Sequence, residues 1–351
     1  MKRIPIAILG ATGAVGQRMI QLLQNHPWFE IAVLTGSDRT VGRPYGELVN
    51  WILDDNPPSH VANLIVQPSD QVTADVAIAL SALPTAAATT YEPLWAAETA
   101  VCSNASSYRM TPDVPLIIPE VNPEHVHLID AQRRQRGWRG ALVTNPNCSV
   151  IGIAMALKPL ADTVGLHHVH AATLQAVSGA GYPGVASMDI IDNIIPNIAN
   201  GGEEEKIESE PRKIMAKLQH DTLHAAEFTL SAQVTRVPVI DGHTALLSIK
   251  TARPLGIDDV TRIYQSYQPP QQVRDLPSAP DQALIVHTQA DRPQPRRDRN
   301  AGNGMSVSIG RIRSCPINDV RMVVLSHNTI RGAAGGAILN AELLVATGYT
   351  R

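Results

Sequence analysis

IPIAILGATGAVGQRMIQLLQNHP, residues 4–27, decides the fold of this chain. The apolar run at its start predicts a buried strand, and the apolar spacing after the glycines predicts a helix that ends near Pro27. The turn between them contains Gly10, Gly13 and Gly16. Between a strand and a helix, such glycines let a pyrophosphate approach the helix N-terminus. The stretch therefore predicts a dinucleotide-binding turn, with a glycine-rich turn that holds no ligand as the alternative.

Strands and helices alternate from this stretch to about residue 147. Further strands are predicted at FEIAVLTGS (29–37), ADVAIALSALP (74–84) and AVCSNAS (100–106), with a helical segment before the last of them. Apolar strands separated by helices indicate a parallel sheet that is covered on both faces. We therefore expect an α/β fold with a doubly wound Rossmann-type domain over residues 1–147.

The pattern changes after Cys148. The segments HVHAATLQAVSG, AAEFTLSAQVTRVPVI and HTALLSIKTA predict longer strands with mixed faces. This favours a second domain of α+β type over residues 148–327. The chain ends in a helical pattern, predicted to be amphipathic, and we expect residues 328–351 to complete the first domain. Glycines at 332, 335 and 336 permit close packing near the start of that helix.

Composition excludes several classes of protein. The chain has 351 residues, long enough for two domains, and a net charge of −3 with only 4% aromatic residues, which argues against a nucleic-acid binder. No apolar run approaches membrane-spanning length. The N-terminal residues MKRIPIAILG lead directly into the glycine turn without a small-residue cleavage site, so we expect no signal peptide and a cytoplasmic location.

Metal and disulfide sites are also not expected. Three cysteines, at 102, 148 and 315, are too few for a disulfide framework or a four-cysteine zinc site. His167, His168 and His170 could suggest a metal, but no cysteine or acidic cluster lies near them in the sequence, so we expect none. Cys102 and Cys315 are interpreted as inert core residues.

Cys148 is the candidate nucleophile. It lies in ALVTNPNCSVIGIAMALKPL (141–160), where a strand end is broken by Asn145 and Pro146, which can cap and open a helix. Cys148 then falls in the first helical turn, where free N–H groups and the helix dipole favour a thiolate over a thiol. A nucleophilic cysteine also needs a proton-transfer partner. RVPVIDGH (236–243) supplies His243 after an Asp-Gly turn, with a structural histidine as the alternative.

Four further segments are candidates for ligand binding. Ser37, Arg39 and Thr40 after the second strand suit a 2′-phosphate and favour NADP, whereas Asp38 could instead hold a 2′-hydroxyl, and a plain surface turn is equally consistent. QAVSGAGYPG (175–184) resembles a loop that folds over a ligand. GGEEEKIESEPRKI (201–214) predicts a helix that binds an amino group and a phosphate, or a solvated charged helix. Arg109 after a strand end suits an anion site, or an ordinary exposed loop.

Together these segments resemble the aspartate-semialdehyde dehydrogenases, nearly from end to end. The resemblance is carried by GATGAVG, SALP, TNPNCS, QAVSGAGYPG, GGEEEKIESEPRKI, RVPVIDGH, and GNGMSVSIGR with SHNTIRGAAGG. TNPNCS together with RVPVIDGH is the most specific part, because related phosphorylating dehydrogenases carry other cysteine motifs. DNIIPNI, DRPQPRRDR and GNGM resemble the branch typical of archaea and fungi.

The resemblance implies roles for individual residues. Cys148 is the acyl-accepting nucleophile, His243 the acid–base catalyst, and Gln175 orients the reacting group. In the substrate site, Arg236 pairs with the α-carboxylate, Glu204 with the amino group, and Arg109 and Lys206 with the phosphate. The implied cofactor is NADP, held by Gly10, Thr12, Gly13, Val15, Gly16, Ser37, Arg39, Thr40, Ser81, Ser178, Gly179 and Asn328.

The resemblance implies NADPH-dependent reduction of L-4-aspartyl phosphate to the semialdehyde by way of a cysteine thioester. It also implies a homodimer or homotetramer, with DNIIPNI (192–198) near a subunit contact. Two alternatives remain. A malonyl-CoA reductase on the same scaffold would use the same chemistry on another acyl donor. A non-catalytic NADP-sensing module would need the glycine turn but neither Cys148 nor His243.

Overall fold

Six parallel strands form the first sheet of the computed structural model, which describes residues 3–73 and 75–350. Their order in the sheet is β3-β2-β1-β4-β5-β6. The strands are β1 (Ile4–Leu9), β2 (Phe29–Gly36), β3 (Gln67–Pro68), β4 (Ile78–Ser81), β5 (Ala100–Ser103) and β6 (Ala141–Thr144). This order is that of a doubly wound dinucleotide-binding sheet, and it reverses between β1 and β4. Met1, Lys2, Ala74 and Arg351, which the predicted segments included, lie outside the described residues.

Seven strands form the second, mixed sheet, in the order β13-β14-β15-β12-β7-β11-β8. They are β7 (Leu166–Gln175), β8 (Ile195–Pro196), β11 (Thr229–Arg236), β12 (His243–Thr251), β13 (Leu284–Val286), β14 (Val307–Ser314) and β15 (Val320–Ser326). A separate hairpin consists of β9 (Lys217–Gln219) and β10 (Thr222–His224). The fold class predicted from the sequence, α/β with a second mixed sheet, is confirmed.

Helices cover both sheets. They are α1 (Ala14–Leu23), α2 (Tyr45–Leu48), α3 (Ser59–Ala62), α4 (Thr85–Ala96), α5 (Leu128–Arg136), α6 (Cys148–Thr163), α7 (Ser187–Ile190), α8 (Gly202–Ile214), α9 (Ile257–Ser266), α10 (Gln271–Arg274), α11 (Pro295–Asp298) and α12 (Gly335–Thr347). Helix α6 packs its apolar residues against the second sheet. Its first turn reaches back to the end of the first sheet, because β6 ends only four residues before it, at Thr144. Short connections of this kind hold the two sheets together at the site described below.

The C-terminal helix packs in the core of the first sheet. Ile338, Leu339 and Leu343 belong to the same buried cluster as Ile6 and Ile8 of β1. The prediction of an amphipathic helix was wrong, because every residue from Gly335 to Leu344 is buried. A helix enclosed on all sides needs no polar face. A π-helical turn, Ile330–Ala334, precedes it, and such turns are frequent at functional sites.

Candidate active site

Three of the predicted site residues lie together at the ends of neighbouring strands of the second sheet. Strands β7 and β11 are parallel, and their last residues, Gln175 and Arg236, lie opposite each other in the register. Strand β12 runs antiparallel to β7 and begins at His243. Gly242 before it has a φ of +102°, a conformation that favours glycine. The pairing of these three strands therefore brings an amide, a guanidinium and an imidazole together at one end of the sheet.

Cys148 is the first residue of α6. The helix is capped by Asn147, whose Oδ1 accepts the Ser149 N–H at 2.9 Å, and not by Asn145 as expected from the sequence. The Cys148 Sγ lies 3.3 Å from Nε2 of His243. On the other side the π-helical turn packs against it, since a Cβ added to Gly332 would lie 2.8 Å from the Cys148 Cβ. Cys148 is therefore held between His243, at the start of β12, and Gly332.

The hydrogen bonds of His243 define its tautomer. Its Nδ1 accepts the backbone N–H of Ala176 at 3.0 Å, so that atom carries no proton. The neutral ring must then carry its proton on Nε2, which faces the Cys148 sulfur. Burial, followed by the charges of Arg236 and His327, lowers the pKa of His243 to about 3. His243 is consequently a neutral hydrogen-bond donor toward the sulfur at physiological pH.

The protonation of Cys148 differs from the expectation. Burial, with a contribution from Glu203, raises the pKa of the Cys148 thiol to about 12, whereas Arg109, Arg236 and Lys206 act in the opposite direction. Desolvation therefore outweighs the helix start that led us to expect a thiolate. The side chain is half-buried, so solvent in the adjoining cavity reduces this penalty. With this pKa, Cys148 is a thiol at neutral pH, and the cations around it favour its ionised form.

A cavity of about 490 Å³ connects this cysteine to the N-terminus of α1. Nine of the residues predicted from the sequence line it: Val15, Arg109, Cys148, Gln175, Ser178, Gly179, Lys206, Arg236 and Asn328. Asn328 links two of its walls, because its Oδ1 accepts the Gly242 N–H and its Nδ2 donates to Ser178 Oγ, both at 2.8 Å. A Cβ added to Gly179 would lie 2.7 Å from Arg236 Nη1 and 3.0 Å from His243 Nε2, so a side chain there would displace the Arg236 guanidinium.

The carboxylate in the cavity is Glu203 rather than Glu204. Glu204 points to β11, where its Oε1 accepts the Val234 N–H at 3.3 Å. Glu203 lines the cavity, and its two oxygens accept from Lys206 Nζ at 2.8 Å and Asn147 Nδ2 at 2.9 Å. Burial opposes its charge, but these hydrogen bonds and the Lys206 ammonium outweigh burial and lower the pKa of Glu203. The residue is therefore an anion beside Cys148.

Arg109 is buried and held by two acceptors. Its Nη1 donates to Glu210 Oε1 at 3.0 Å, and its Nη2 donates to the Asn104 carbonyl at 2.7 Å. It lines the cavity together with Lys206, which is half-buried. The expectation that Arg109 could lie in an ordinary exposed loop does not apply. Two cations thus lie in one cavity with the thiol, an arrangement that suits an anionic leaving group.

The glycine turn leads into Ala14 and Val15 of α1, which line the other end of the cavity. Gly10 has a φ of +78°, and an added Cβ would lie 3.0 Å from the Ala82 carbonyl. At Gly16 an added Cβ would lie 2.5 Å from the Gly10 carbonyl, so the helix packs directly on the turn. No side chain caps α1 at Gly13, and the half-buried Thr12 lies beside it. Uncapped N–H groups at a helix start form a ready site for a phosphate.

Eight of the predicted cofactor residues do not line the cavity: Gly10, Thr12, Gly13 and Gly16 of the glycine turn, and Ser37, Arg39, Thr40 and Ser81. Ser37 and Arg39 are exposed in the turn after β2, and the half-buried Thr40 donates its Oγ hydrogen to the Ser37 carbonyl at 2.8 Å. Asp38 is exposed in the same turn. Ser81 is fully buried below Ala82 and Leu83, which line the cavity in its place.

Sequence reasoning missed three residues of the site: Asn147, Glu203 and Gly332. The three consecutive glutamates of α8 gave no signal for choosing between Glu203 and Glu204, because both lie near the start of the helix. Asn147 was visible as a possible cap next to Cys148. Gly332 was noted for close packing, but its contact with the cysteine depends on the tertiary fold.

The remaining cysteines and histidines lie elsewhere. Cys102 is buried, and burial raises its pKa, as expected of an inert residue. Cys315 is only half-buried and hydrogen-bonds to Ser248, so its assignment to the core was wrong. Over residues 3–73 and 75–350, no group of three or more potential ligand side chains is placed to hold a metal ion. Within the same ranges no helix is long and apolar enough to cross a membrane.

Two protein-family models match this chain. Residues 5–129 match the NAD binding domain of semialdehyde dehydrogenases, and residues 157–331 match the semialdehyde dehydrogenase dimerisation domain. The chain is 48% identical to an aspartate-semialdehyde dehydrogenase of Archaeoglobus fulgidus, over 98% of each chain. It is 41% identical to a malonyl CoA reductase (NADP) of Metallosphaera sedula, over 99% of this chain and 98% of that protein.

A solved structure agrees with these matches. The fold is similar to that of aspartate semialdehyde dehydrogenase with NADP from Candida albicans, with a TM-score of 0.91 and 40% identity over 99% of this chain and all of that one. An archaeal and a fungal protein are thus among the similar proteins, as the sequence segments indicated. By its similarity over its full length, the chain belongs to the semialdehyde dehydrogenase family, in the branch of the aspartate-semialdehyde dehydrogenases.

Proposed function

We propose that the chain is an NADPH-dependent aspartate-semialdehyde dehydrogenase, which reduces L-4-aspartyl phosphate to the semialdehyde with release of phosphate. The observation that carries this proposal is the cavity lined by the Cys148 thiol and three cations, Arg109, Lys206 and Arg236, with His243 donating to the thiol sulfur. A nucleophilic thiol beside two cations suits attack on an acyl phosphate. The similar enzymes of Archaeoglobus fulgidus and Candida albicans support it.

The residues around the glycine turn fit a dinucleotide. The start of α1 carries no side-chain cap at Gly13, so its free N–H groups suit a pyrophosphate, while Gly10 lets the turn pack closely against the Ala82 backbone. We assign Gly10, Thr12, Gly13, Val15 and Gly16 to the pyrophosphate end, and Ser178, Gly179 and Asn328 to the nicotinamide end. Ser37, Arg39 and Thr40 are assigned to a 2′-phosphate, and Ser81 to support of the adjoining wall. NADPH, when bound, supplies the hydride that reduces the acyl group.

The acyl transfer follows from the placement of Cys148. Its Sγ, after loss of the thiol proton to solvent, attacks the acyl carbon of aspartyl phosphate. The new C–S bond forms a thioester as the bond to the phosphate oxygen breaks. Arg109 and Lys206 stabilise the departing phosphate. The Nε2–H of His243 donates to the sulfur before attack and to the substrate oxygen once the sulfur has reacted. Because a neutral imidazole does not release its remaining proton near neutral pH, we restrict its role to that of a hydrogen-bond donor.

The remaining polar groups orient the aspartyl portion. Arg236, held by the Ala176 carbonyl at 2.8 Å, is assigned to the α-carboxylate. Glu203 takes the place of Glu204 as the partner of the α-amino group, because only Glu203 lines the cavity. Gln175 is assigned to the reacting carbonyl. Opposite charges at the two ends of the amino acid would fix the acyl carbon near the sulfur.

A malonyl-CoA reductase is the second candidate, supported by the relative from Metallosphaera sedula. Both reactions use a cysteine thioester and NADPH. The Glu203 carboxylate favours aspartyl phosphate, because malonyl-CoA has no amino group to pair with it. The test is an assay of NADPH oxidation with each acyl donor, together with phosphate dependence of the reverse reaction. If the protein turns over malonyl-CoA but not aspartyl phosphate, the assignment to aspartyl phosphate is wrong.

We propose that residues 1–147, with the C-terminal helix in 328–351, bind the cofactor, and that residues 148–327 form the catalytic and dimerisation domain. Exposed apolar side chains support a homodimer or homotetramer: Met188 is 89% exposed, Ile191 65% and Ile194 58%. They lie at or next to DNIIPNI, in the region matched by the dimerisation model. Sedimentation equilibrium measures the assembly, and cell fractionation tests the cytoplasmic location that we also propose.

A further inference from the structure

A stripe of charged residues on α8 connects the anion site to the nucleophile. Glu203, Lys206, Glu210 and Lys213 follow one another at intervals of three, four and three residues, which places them on one face of the helix. The first two line the cavity. Glu210 is 1% exposed and Lys213 8% exposed, and the reaction described above uses neither. Buried charges of this kind are rare unless they are paired.

Glu210 contacts both halves of the site. Its Oε1 accepts from Arg109 Nη1 at 3.0 Å, and its Oε2 accepts the backbone N–H of Asn147 at 2.7 Å. Asn147 directly precedes Cys148 and caps its helix. One rigid carboxylate thus sets the position of the Arg109 guanidinium relative to the residue next to the reactive sulfur. We infer that Glu210 is a positioning residue that couples the phosphate site to the Cys148 turn.

Lys213 fixes the backbone of the same loop. Its Nζ donates to the carbonyl oxygens of Arg109, Thr111 and Val114 at 2.6, 2.7 and 2.8 Å. Arg109 is therefore held at its main chain by Lys213 and at its side chain by Glu210, both from α8. An unanchored arginine would lose its fixed geometry and would have to be ordered anew with each substrate.

The inference rests on the proposed function only in assigning phosphate to Arg109, so the test uses inorganic phosphate without turnover. Phosphate bound beside Cys148 should slow alkylation of its thiol by iodoacetamide. In Glu210→Gln, we expect the phosphate concentration needed for half protection to rise about tenfold, a typical coupling between groups in direct contact. Glu205→Gln, on the exposed face of the same helix, is the matched control and should behave as the wild type.

A double-mutant cycle separates positioning from support of the fold. In the Arg109→Gln background, Glu210→Gln should have little further effect on phosphate protection, because its partner is already absent. Equal effects in both backgrounds would overturn the inference. Glu210→Asp retains the charge, but its shorter side chain cannot reach both partners, so it should also weaken protection by phosphate. It replaces Glu210→Gln in the test if that variant folds poorly. If phosphate fails to protect even the wild type, the phosphate assignment fails; if it protects Glu210→Gln equally, the positioning role fails.

Discussion

The Nε2 atom of His243 lies 3.3 Å from the Sγ of Cys148, with its proton directed at the sulfur because the Ala176 N–H occupies Nδ1. This pair behaves as a hydrogen-bond donor and an acceptor rather than as a base and an acid. A base at Nε2 would require the opposite tautomer, which would bring two N–H groups together at Nδ1 and Ala176.

Replacing His243 should distinguish the donor from the base. His243→Gln keeps an N–H group that can reach toward the sulfur, whereas His243→Ala removes it. We expect kcat to fall by about 10²-fold or more in His243→Ala and by clearly less in His243→Gln. Steady-state NADPH oxidation measures both. Equal losses in the two variants would contradict the donor role.

The ionisation of His243 predicts how stability depends on pH. Its pKa is about 3 in the folded protein, below the ordinary value of 6.5, so the unfolded chain binds more protons between these values. The stabilisation is complete above pH 6.5 and is lost as the pH falls toward 3. At pH 4.5 the loss from this residue should be about 2–3 kcal/mol. Urea unfolding at each pH measures it, and His243→Gln should lose that much less stability than the wild type.

The nucleophile can be tested by its removal. Cys148→Ala should lower kcat by at least about 10³-fold, since no thioester can form. NADPH binding, followed by fluorescence, should remain within a factor of about two, because the glycine turn is unchanged. Cys315→Ala, at a half-buried site away from the cavity, is the control. If Cys148→Ala retained NADPH-dependent turnover, the thioester mechanism would be wrong.

Glu203 and Glu204 form a natural pair of test positions. We expect Glu203→Gln to raise KM for aspartate semialdehyde by about tenfold or more, because the variant lacks the charge that pairs with the amino group. Glu204→Gln should alter KM by less than about threefold, since its partner is the backbone of β11. Initial rates of the reverse reaction give both values. The opposite order would restore the assignment made from the sequence.

Gly332 should be sensitive to a single methyl group. In Gly332→Ala the new Cβ would lie 2.8 Å from the Cβ and 3.0 Å from the Cα of Cys148. We expect a loss of about 1–3 kcal/mol in stability together with slower Cys148 alkylation. Gly202→Ala, whose Cβ would lie 4.0 Å from its nearest neighbour, should do neither. Thermal unfolding and iodoacetamide kinetics test the pair.

Local patterns predicted the parts of the molecule that are built from neighbouring residues. The strand, glycine turn and helix over residues 4–27, and the position of Cys148 at a helix start, depend on local chemistry and were found from the sequence. The strand order of the second sheet was not, because its pairings join segments far apart in the chain. The thiol form of Cys148 was missed for the same reason: its burial comes from Gly332 and the edge of the sheet.

The choice between Glu203 and Glu204 shows another limit. Both are acidic residues in the first turn of α8, so composition and helix polarity are identical for them. Only the packing of α8 against β11 directs Glu204 to the backbone of that strand and Glu203 into the cavity. The C-terminal helix was misjudged in a similar way, since Asn340 and Glu342 imitate a polar face, whereas both are buried and hydrogen-bonded.

That enclosed helix has a consequence for biosynthesis. The residues of β1 leave the ribosome long before Leu339 and Leu343 of the C-terminal helix, which belong to the same buried cluster. Part of the core of the first sheet therefore stays exposed to solvent until those residues have been synthesised. A nascent chain stalled before residue 335 would expose that surface to chaperones, and a chain cut at residue 335 would lose part of the core of the first sheet.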